Sequence, residues 1–526
     1  MPFTTITFIA FFSVAFFAYY IVPRRFQWCW LLLSSLFFYA YASLFALVFL
    51  LATVSLSFGA AMGIGSLYAR RDALLKEKKS LWSRDERKEY RARITRTGEV
   101  YLSLVLCALF GCLVAFKYLQ FLFDNFVRIC GFCGWTVLPS EFNWILPIGM
   151  SFYIFQSAGY LIDVFREAVV PERNFLRYAL FVSYFPQIMQ GPIGSFSDLA
   201  PQLTASHDFD GHTASLGLQR VVWGFAKKLC VANCIAMMIN PVWENPEKYS
   251  GFCCWGFFSF LYAIQIYADF SGYMDIACGC SQMLGIRIAE NFNCPYFSSD
   301  IPEYWRRWHM TLGNWFKNYL FYPVLLSRWN SRLRKIFSSK YLSSVVPTTI
   351  ALIIVWLTTG LWHGASWGYV AWGAYFGFFI ILNLMTEPIR KRFYERFPHL
   401  VSSRLYRCWN IVLTFAVVVV GYSIFKPGDL GVTWSIWRSA MSAFDFHSLH
   451  CFISWRKPTL GLLLVAMVVL FVVDLIHIRH PKGWIRAKIG AMPLCVRWMC
   501  YLAAVLVVLF AGYNGADVNQ FEYFKF

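Results

Sequence analysis

The sequence predicts an all-α polytopic membrane protein, and its composition and long apolar runs carry that prediction. Of the 526 residues, 58% are hydrophobic and only 14% are charged, whereas a soluble domain carries about 25% charged residues. The apolar residues form long uncharged runs, and about 20 such residues cross a bilayer as one helix. We therefore expect a single integral-membrane domain over residues 1–526, with helical spans.

Thirteen runs are candidate spans. Some of them can be re-entrant, because non-helical backbone is tolerated at membrane depth where protein covers it. The first run lacks a basic flank and a small-residue cleavage site, so we expect a retained span and not a cleaved signal. The candidates are residues 3–22, 27–47, 49–68, 99–121, 143–162, 176–191, 216–240, 254–275, 344–362, 367–386, 406–425, 458–476 and 494–513.

The formal charge of +19 is typical of a membrane protein with basic cytoplasmic loops, so we expect contacts with membrane lipids and no nucleic-acid partner. The segment 69–98 is rich in Lys and Arg and is expected to be a solvated loop beside anionic headgroups. Arg24 and Arg25 fall on the same side if two spans separate them from that loop. This arrangement would place the N-terminus outside.

The sixteen cysteines give little support to a disulfide or metal framework. Cys130 and Cys133 form a CxxC pair, but no second pair follows at zinc-ribbon spacing. Buried thiols often act as small hydrophobic groups; a bridge between these two is the alternative if their loop faces an oxidising space. His477 and His480 have the spacing of metal ligands, but no third ligand is evident, and we expect no metal.

The segment EYWRRWHMTLGNWFKNYL, residues 303–320, is expected to form an amphipathic helix. A basic helix rich in tryptophan is often simply interfacial. His309, however, falls on the aromatic face and not on the polar one. The aromatic face comprises Trp305, Trp308, His309, Leu312, Trp315, Phe316 and Tyr319, and the polar face Arg306, Arg307, Met310, Thr311, Asn314, Lys317 and Asn318.

His363 lies in the middle of residues 341–386, a segment without Asp, Glu, Lys or Arg. The segment is long enough for two spans and is expected to be a hairpin, with His363 at its turn or at a break inside the membrane. Gly360, Gly364 and Gly368 are expected where backbones approach closely. One interpretation is a hydrogen-bonded structural histidine. We favour a functional role, because an ionisable group at membrane depth is costly.

At these histidines the sequence resembles the membrane-bound O-acyltransferase superfamily, in its bacterial branch of alginate O-acetylation and teichoic-acid D-alanylation. Five blocks carry the resemblance in one order, and they define a core at about 140–375, with peripheral helices at 1–125 and 400–526. The blocks are LPIGMSFYIFQSAGYLIDVFR (146–166), FPQIMQGPI (185–193), QIYADFSGYMDIACGCSQMLGIRIAENFNCPY (265–296), WRRWHMTLGNWFKNYLFYPV (305–324) and LWHGASWGYVAWG (361–373).

The resemblance implies a ring of about 11–13 transmembrane or re-entrant helices around a central funnel. It implies an enzyme of the bacterial inner membrane that moves an acyl group, in the simplest case acetyl, from a cytosolic thioester to a hydroxyl of an exported polymer. His363 would be catalytic, as the general base, and His309 its partner. The donor would be acetyl-CoA or the phosphopantetheine of an acyl carrier protein, with no permanently bound cofactor.

Further contacts follow from the same blocks. Arg306 and Arg307 suit donor phosphates, and Trp362 or N–H groups near Gly364 suit an oxyanion. The family usually reads WFRDYLY where this chain has Lys317 and Asn318, so the family's carboxylate is missing there. The expected substrate-binding residues are Trp305, Arg306, Arg307, Trp308, Trp315, Lys317, Asn318, Trp362, Asp269, Ser271, Asp275, Asn293, Gln156 and Gln190.

The terminal FEYFKF, residues 521–526, resembles sequences of this branch in which a tyrosine relays the acyl group. Tyr523 is therefore a candidate relay nucleophile, and an aromatic interface anchor is the alternative. The expected partners are a polysaccharide acceptor and either a periplasmic SGNH-type transferase or an acyl carrier protein. The competing classes are a transporter or flippase of lipid-linked sugar, with Asp163, Asp269 and Asp275 as a proton path, and a non-catalytic scaffold for a periplasmic acyltransferase.

Overall fold

The computed structural model describes residues 1–138, 140–142, 146–455, 457–480 and 483–513. Throughout these segments the regular elements are helices, so the all-α prediction is confirmed. The chain divides into two compact units. The first comprises Met1–Gly217 with Cys280–Ala289, and the second comprises Leu218–Gly279 with Glu290–Phe526.

Eight α-helices lie within the described residues of the first unit. They are α1 (Ile6–Ile21), α2 (Gln27–Ala42), α3 (Leu44–Glu77), α4 (Arg84–Phe132), α5 (Met150–Phe165), α6 (Phe175–Ser183), α7 (Phe185–Ile188) and α8 (Phe196–Thr204). Two further helices contribute residues to both units, α9 (Gly211–Ala226) and α11 (Phe252–Met283). A π-helical segment, Lys227–Asn233, joins α9 to α10 (Cys234–Glu244).

The second unit continues with four short helices and then with helices of mixed length, several of them long and apolar. The short ones are α12 (Ile301–Arg307), α13 (Met310–Phe316), α14 (Tyr322–Leu325) and α15 (Arg328–Ile336). The rest are α16 (Lys340–His363), α17 (Trp367–Met385), α18 (Glu387–Arg396), α19 (Pro398–Val401), α20 (Arg404–Phe425), α21 (Leu430–Ser442), α22 (His447–Trp455), α23 (Lys457–Arg479), α24 (Trp484–Gly490) and α25 (Leu494–Tyr513).

Seven helices of the described chain are long and apolar enough to cross a membrane. Side chains such as Leu462, Val465 and Phe471 of α23 are exposed, as expected for a surface that lipid covers. The chain is therefore a multi-pass membrane protein, as predicted. The seven are α3, α4, the continuous rod Gly211–Glu244, α16, α17, α20 and Leu460–Arg479; Ile6–Ile21 and Leu494–Phe510 are shorter apolar helices.

The predicted span 176–191 is wrong. It is divided between α6 and α7, and α6 has nine residues, which is about 13 Å of helix against about 30 Å of hydrocarbon. Asn174 caps α6 by accepting hydrogen bonds from the N–H groups of Leu176 and Arg177. Pro186 stands in the first turn of α7, where its missing N–H costs nothing. Most apolar residues of this segment are therefore buried inside the protein, and the segment does not form one membrane-spanning helix.

The basic segment 69–98 is also less solvated than predicted. Its residues lie mostly on the ends of α3 and α4, and a capping box formed by Ser83 and Glu86 begins α4. Arg71 is only 3% exposed. Its guanidinium donates two hydrogen bonds, of 2.9 and 2.7 Å, to the carboxylate of Glu167. The loop interpretation is therefore wrong for Arg71, which a carboxylate far along the chain neutralises.

The charge-free segment forms the predicted hairpin. α16 ends at His363, and α17 begins at Trp367 and packs along α16. A Cβ atom on Gly360 would collide with the backbone carbonyl of Tyr369, so the two helices approach closely at this glycine. The close approach fixes the end of α16, and His363 is its last residue.

Candidate active site

The predicted helix over 303–320 is interrupted at His309. Trp308 is extended, and His309 has a φ of 44°, in the left-handed region. The reason is a pairing that the helical period does not show. The N–H of Met310 donates to the carbonyl of Asn291, and the N–H of Asn293 donates to the carbonyl of Arg307, each at 3.0 Å. The uninterrupted amphipathic helix was therefore a wrong prediction.

The side chain of Asn291 fixes the tautomer of His309. Its Oδ1 accepts hydrogen bonds from the backbone N–H of Thr311 at 3.0 Å and from the Thr311 hydroxyl at 2.7 Å. A backbone N–H only donates, so this atom of Asn291 must be the oxygen. The Nδ1 of His309 lies 3.3 Å from the same oxygen and must carry the proton. The lone pair of the neutral ring is therefore on Nε2.

His309 lies between α12 and α13, outside the seven apolar helices, and is 3% exposed. Burial lowers the pKa of His309 to about 3, because the charged imidazolium loses its hydration. The ring meets Phe270 edge to face at a centroid distance of 4.8 Å. His309 is thus a neutral hydrogen-bond acceptor at ordinary pH.

His363 is also buried, with 4% exposure, and it lies among aromatic rings. Its ring centroid is 4.8 Å from that of Trp372 and 5.2 Å from that of Phe425. The neighbouring Trp362 ring is 4.9 Å from His363 and 6.0 Å from His309. We call His309, Trp362, His363, Trp372 and Phe425 the aromatic cluster. The structure brings both predicted histidines into it.

The tryptophans predicted to bind substrate pack mainly against other side chains. Trp305 meets Trp356 at 4.8 Å and Phe376 at 4.9 Å. Trp308 meets Phe292 at 5.0 Å, and Trp315 is buried. Trp305 also meets Trp372 at 5.5 Å, so its ring packs against the aromatic cluster.

The predicted cations divide into paired and exposed groups. Arg307 donates to the carboxylate of Glu303, one helical turn away, at 2.6 Å. Arg306, Lys317 and Asn318 are exposed. Lys317 and Asn318 stand in a π-helical segment, Lys317–Phe321. The exposed cations are therefore the ones accessible to an anionic ligand.

Two predicted carboxylates are occupied by cations of the chain itself. Asp269 accepts from the Nζ of Lys228 at 2.5 Å, with both side chains buried. Asp275 pairs with the Nε of Arg220 at 2.9 Å and with the Nζ of Lys227 at 2.5 Å. Ser271 also accepts from Lys227, at 2.9 Å. These contacts give the three side chains a structural partner within the second unit.

Sequence reasoning missed these three cations, and it missed Asn291. All three cations lie inside the predicted span 216–240. Lys227 and Lys228 come seven and eight residues after Arg220, which is about two helical turns, so the three point to the same side of a helix. That spacing was a readable signal. For Asn291 no comparable signal exists, since Asn293 in the same NFN sequence is exposed and only the fold distinguishes them.

The remaining predicted residues lie elsewhere. In the first unit, the Nε2 of Gln156 donates to the carbonyl of Phe181 at 2.9 Å, and Gln190 is buried. Tyr523 lies outside the described residues.

The chain is similar to known acyltransferases over most of its length. The model of the family MBOAT, membrane-bound O-acyltransferase, matches residues 82–425. The protein named probable alginate O-acetylase of Azotobacter vinelandii is 31% identical over 430 residues, which cover 81% of this chain and 75% of that relative. The peptidoglycan O-acetyltransferase of Helicobacter pylori is 28% identical over 452 residues, covering 80% and 76%.

The teichoic acid D-alanyltransferase of Streptococcus thermophilus is 26% identical over 301 residues, covering 55% of this chain and 69% of the relative. The resemblance read from the five ordered blocks is thereby confirmed, and with it the enzyme class, acyltransferase. The match includes both histidines of the aromatic cluster. This chain belongs to the membrane-bound O-acyltransferase family.

Proposed function

We propose that this protein transfers an acyl group, in the simplest case acetyl, from a thioester donor to a hydroxyl of an exported cell-envelope polysaccharide. The observation that carries the proposal is the pair of buried histidines, His309 and His363, whose ring centroids lie 6.0 and 4.9 Å from that of Trp362. Relatives are named for O-acetylation of alginate, O-acetylation of peptidoglycan and D-alanylation of teichoic acid, and these names support the acceptor class.

In the proposed reaction, His363 takes the proton of the acceptor hydroxyl while the hydroxyl oxygen attacks the thioester carbonyl. The carbon–sulfur bond then breaks, and the thiolate leaves with the proton from the imidazolium. Such general-base help is typically worth about 10²–10⁴-fold in rate. His309, with its lone pair on Nε2, accepts a hydrogen bond from a neighbouring hydroxyl of the acceptor and so orients the attacking one.

The tetrahedral oxyanion needs a donor. One expected source is the set of backbone N–H groups near Gly364, of which the N–H of Gly364 itself already donates to the carbonyl of Leu361 at 3.1 Å. The other is the indole N–H of Trp362, whose ring is buried beside both histidines, and we propose that it contributes.

The donor is proposed to be acetyl-CoA or an acylated carrier protein, both of which carry phosphate on a pantetheine arm. Arg306 and Lys317 are exposed and close together along the chain, so they can bind phosphate oxygens. Arg307 is a weaker candidate, because Glu303 occupies its guanidinium.

Location and partners follow from the same proposal. The protein would lie in the bacterial inner membrane with its N-terminus outside, because the basic ends of α3 and α4 belong on the cytoplasmic side. The acceptor would receive the acyl group directly, through Tyr523, or through a periplasmic SGNH-type transferase. A flippase is less well supported, since Asp269 and Asp275 are already paired with cations.

The assignment of His363 is tested by replacing it. His363→Ala at normal expression is expected to remove ester-linked acyl groups from the exported polysaccharide and to stop the purified protein from consuming an acyl thioester. His399→Ala, at an exposed histidine of α19, is the matched control and should retain activity. Unchanged acylation in His363→Ala would contradict the proposal.

The relay role is tested separately by Tyr523→Phe, which keeps the aromatic ring and removes only the hydroxyl. A covalent relay predicts loss of polymer acylation with the chain still in the membrane. An aromatic anchor predicts no change, and that result would exclude Tyr523 as the acyl carrier.

A further inference from the structure

A second group of chemically reactive side chains lies outside the aromatic cluster, at Cys294, Asp474 and His477. Each offers one ligand atom, and these atoms all lie within 4.8 Å of one another. Among the described residues it is the single such group of three. The sequence had paired His477 with His480, but the ring of His480 stacks on Trp484 at 4.3 Å instead.

Two separate elements deliver these ligands. Asp474 and His477 are three residues apart on α23 and so lie on one face of it. Cys294 precedes the 3₁₀ turn Pro295–Phe297 and has a φ of 47°, in the left-handed region. Its Sγ lies 3.5 Å from the carbonyl oxygen of Asp474. The turn therefore holds the thiol against the helix that carries the other two ligands.

The carboxylate is also oriented from a third direction. The hydroxyl of Tyr267 on α11 donates to the Oδ2 of Asp474 at 2.7 Å. A hydrogen bond from an outer residue to a ligating carboxylate is a usual feature of metal sites. Cys294 and Asp474 are buried, and His477 is half-buried, so the group is enclosed and still reachable on one side.

We propose that Cys294, Asp474 and His477 bind a divalent transition-metal ion of the zinc type, with a water molecule as the fourth ligand. Thiolate, imidazole and carboxylate are the donors that zinc prefers, and its bond lengths imply ligand separations of roughly 3.3–3.6 Å. Side-chain adjustments of about 1 Å reach that spacing. The thiol releases its proton to solvent on binding.

The charges also balance. A thiolate and a carboxylate supply two negative charges, and a divalent ion with a neutral imidazole supplies two positive ones. Neutrality matters here, because uncompensated charge in a buried, low-dielectric environment is costly. The ion would join α23 to the loop that also carries Asn291, three residues before Cys294. Its role would be to stabilise that loop.

Cobalt(II) titration of the purified, reduced protein in detergent tests the site. We expect about one equivalent to bind with a near-ultraviolet thiolate charge-transfer band, and zinc to displace it. Cys294→Ser should lose the band. Cys451→Ser is the matched control, because Cys451 lies 3.6 Å from His447 on α22 but belongs to no group of three among the described residues. Absence of the band in the wild type, or its loss only in Cys451→Ser, would overturn the proposal.

Two further measurements apply if Cys294→Ser fails to fold. Tyr267→Phe keeps every ligand and removes the hydrogen bond to Asp474, so cobalt should bind about 10–100-fold more weakly. A chelator should lower the Tm of the wild type, and added zinc should restore it. The proposal would be overturned if Tyr267→Phe left the cobalt affinity unchanged and the chelator left the wild-type Tm unchanged. The three side chains would then only contact one another.

Discussion

His309 keeps a left-handed backbone conformation although it carries a Cβ atom, with a φ of 44°. Such a conformation costs about 1–2 kcal/mol and persists only where the surroundings enforce it. Asn291 provides that enforcement twice, through its backbone carbonyl on Met310 and through its side chain on Thr311 and His309. We therefore infer that Asn291 is a positioning residue for His309.

Replacing Asn291 tests this at the residue scale. Asn291→Ala leaves the buried Thr311 and His309 donors without their acceptor, a loss of about 1–3 kcal/mol, and frees the His309 tautomer. We expect kcat to fall by about 10–100-fold, within the range of general acid–base effects, with the donor KM little changed. Asn314→Ala, at an exposed asparagine of α13, should be neutral. Equal effects of the two substitutions would contradict the assignment.

The pH dependence of kcat/KM distinguishes a positioning role of Asn291 from a role in folding stability alone. In the wild type the pKa of His309 is lowered to about 3 by burial, so its protonation does not limit activity near neutral pH. Asn291→Asp keeps an acceptor but places a carboxylate beside Nδ1, which favours the imidazolium and raises the pKa of His309. Imidazolium has no lone pair on Nε2. The acid limb of kcat/KM should therefore move to higher pH.

At the scale of elements, the continuous helix from α9 to α10 differs most from its apolar sequence pattern, because it carries buried charges. It carries Arg220, Lys227 and Lys228 into the interior of the second unit, where α11 supplies Asp269 and Asp275. The rod is π-helical from Lys227 to Asn233. Such segments are frequent at functional sites, and here one begins at the two paired lysines.

The buried pair of Asp269 and Lys228 should be sensitive to loss of one partner. Asp269→Asn leaves the lysine charge buried, which typically costs about 3–5 kcal/mol, so we expect a clear fall in Tm in detergent. Adding Lys228→Met should recover much of it. The exposed pair of Glu387 and Lys391 is the control; Glu387→Gln should hardly change the Tm, because water screens an exposed pair. Equal losses in the buried and exposed pairs would contradict this account.

At the scale of the whole molecule, the distribution of positive charge predicts the orientation. The turn between α3 and α4 is flanked by Lys and Arg, and the helices on both sides are long enough to span. Basic segments next to spans stay in the cytoplasm. The orientation of the whole chain follows from that one turn if α1 and α2 both cross.

Epitope accessibility tests this topology. A tag inserted between Lys79 and Ser80 of the full chain should be detected only after the cells are permeabilised, whereas a tag before Met1 should be detected in intact spheroplasts. The reverse pattern would show that the chain is inserted the other way round.

Much of the fold was readable because spans depend on local properties. The long apolar runs predicted the multi-pass class, and the charge-free segment predicted the hairpin of α16 and α17. The errors share one cause. At 176–191, at Arg71 and at His309, the outcome depends on a partner distant in sequence or on a capped helix end, and neither hydropathy nor helical period contains that information.

Composition and ordered motifs are local properties, and they were enough to predict the membrane class and the acyltransferase family and to select His309 and His363 as candidates. Tertiary structure alone decided that the predicted helix 303–320 breaks at His309, that Asn291 and not Asn293 contacts it, and that Asp269 and Asp275 hold cations of the chain. Each of these depends on groups that folding brings together. A buried polar group must find its partner wherever the chain supplies one, so the choice of partner is a property of the fold.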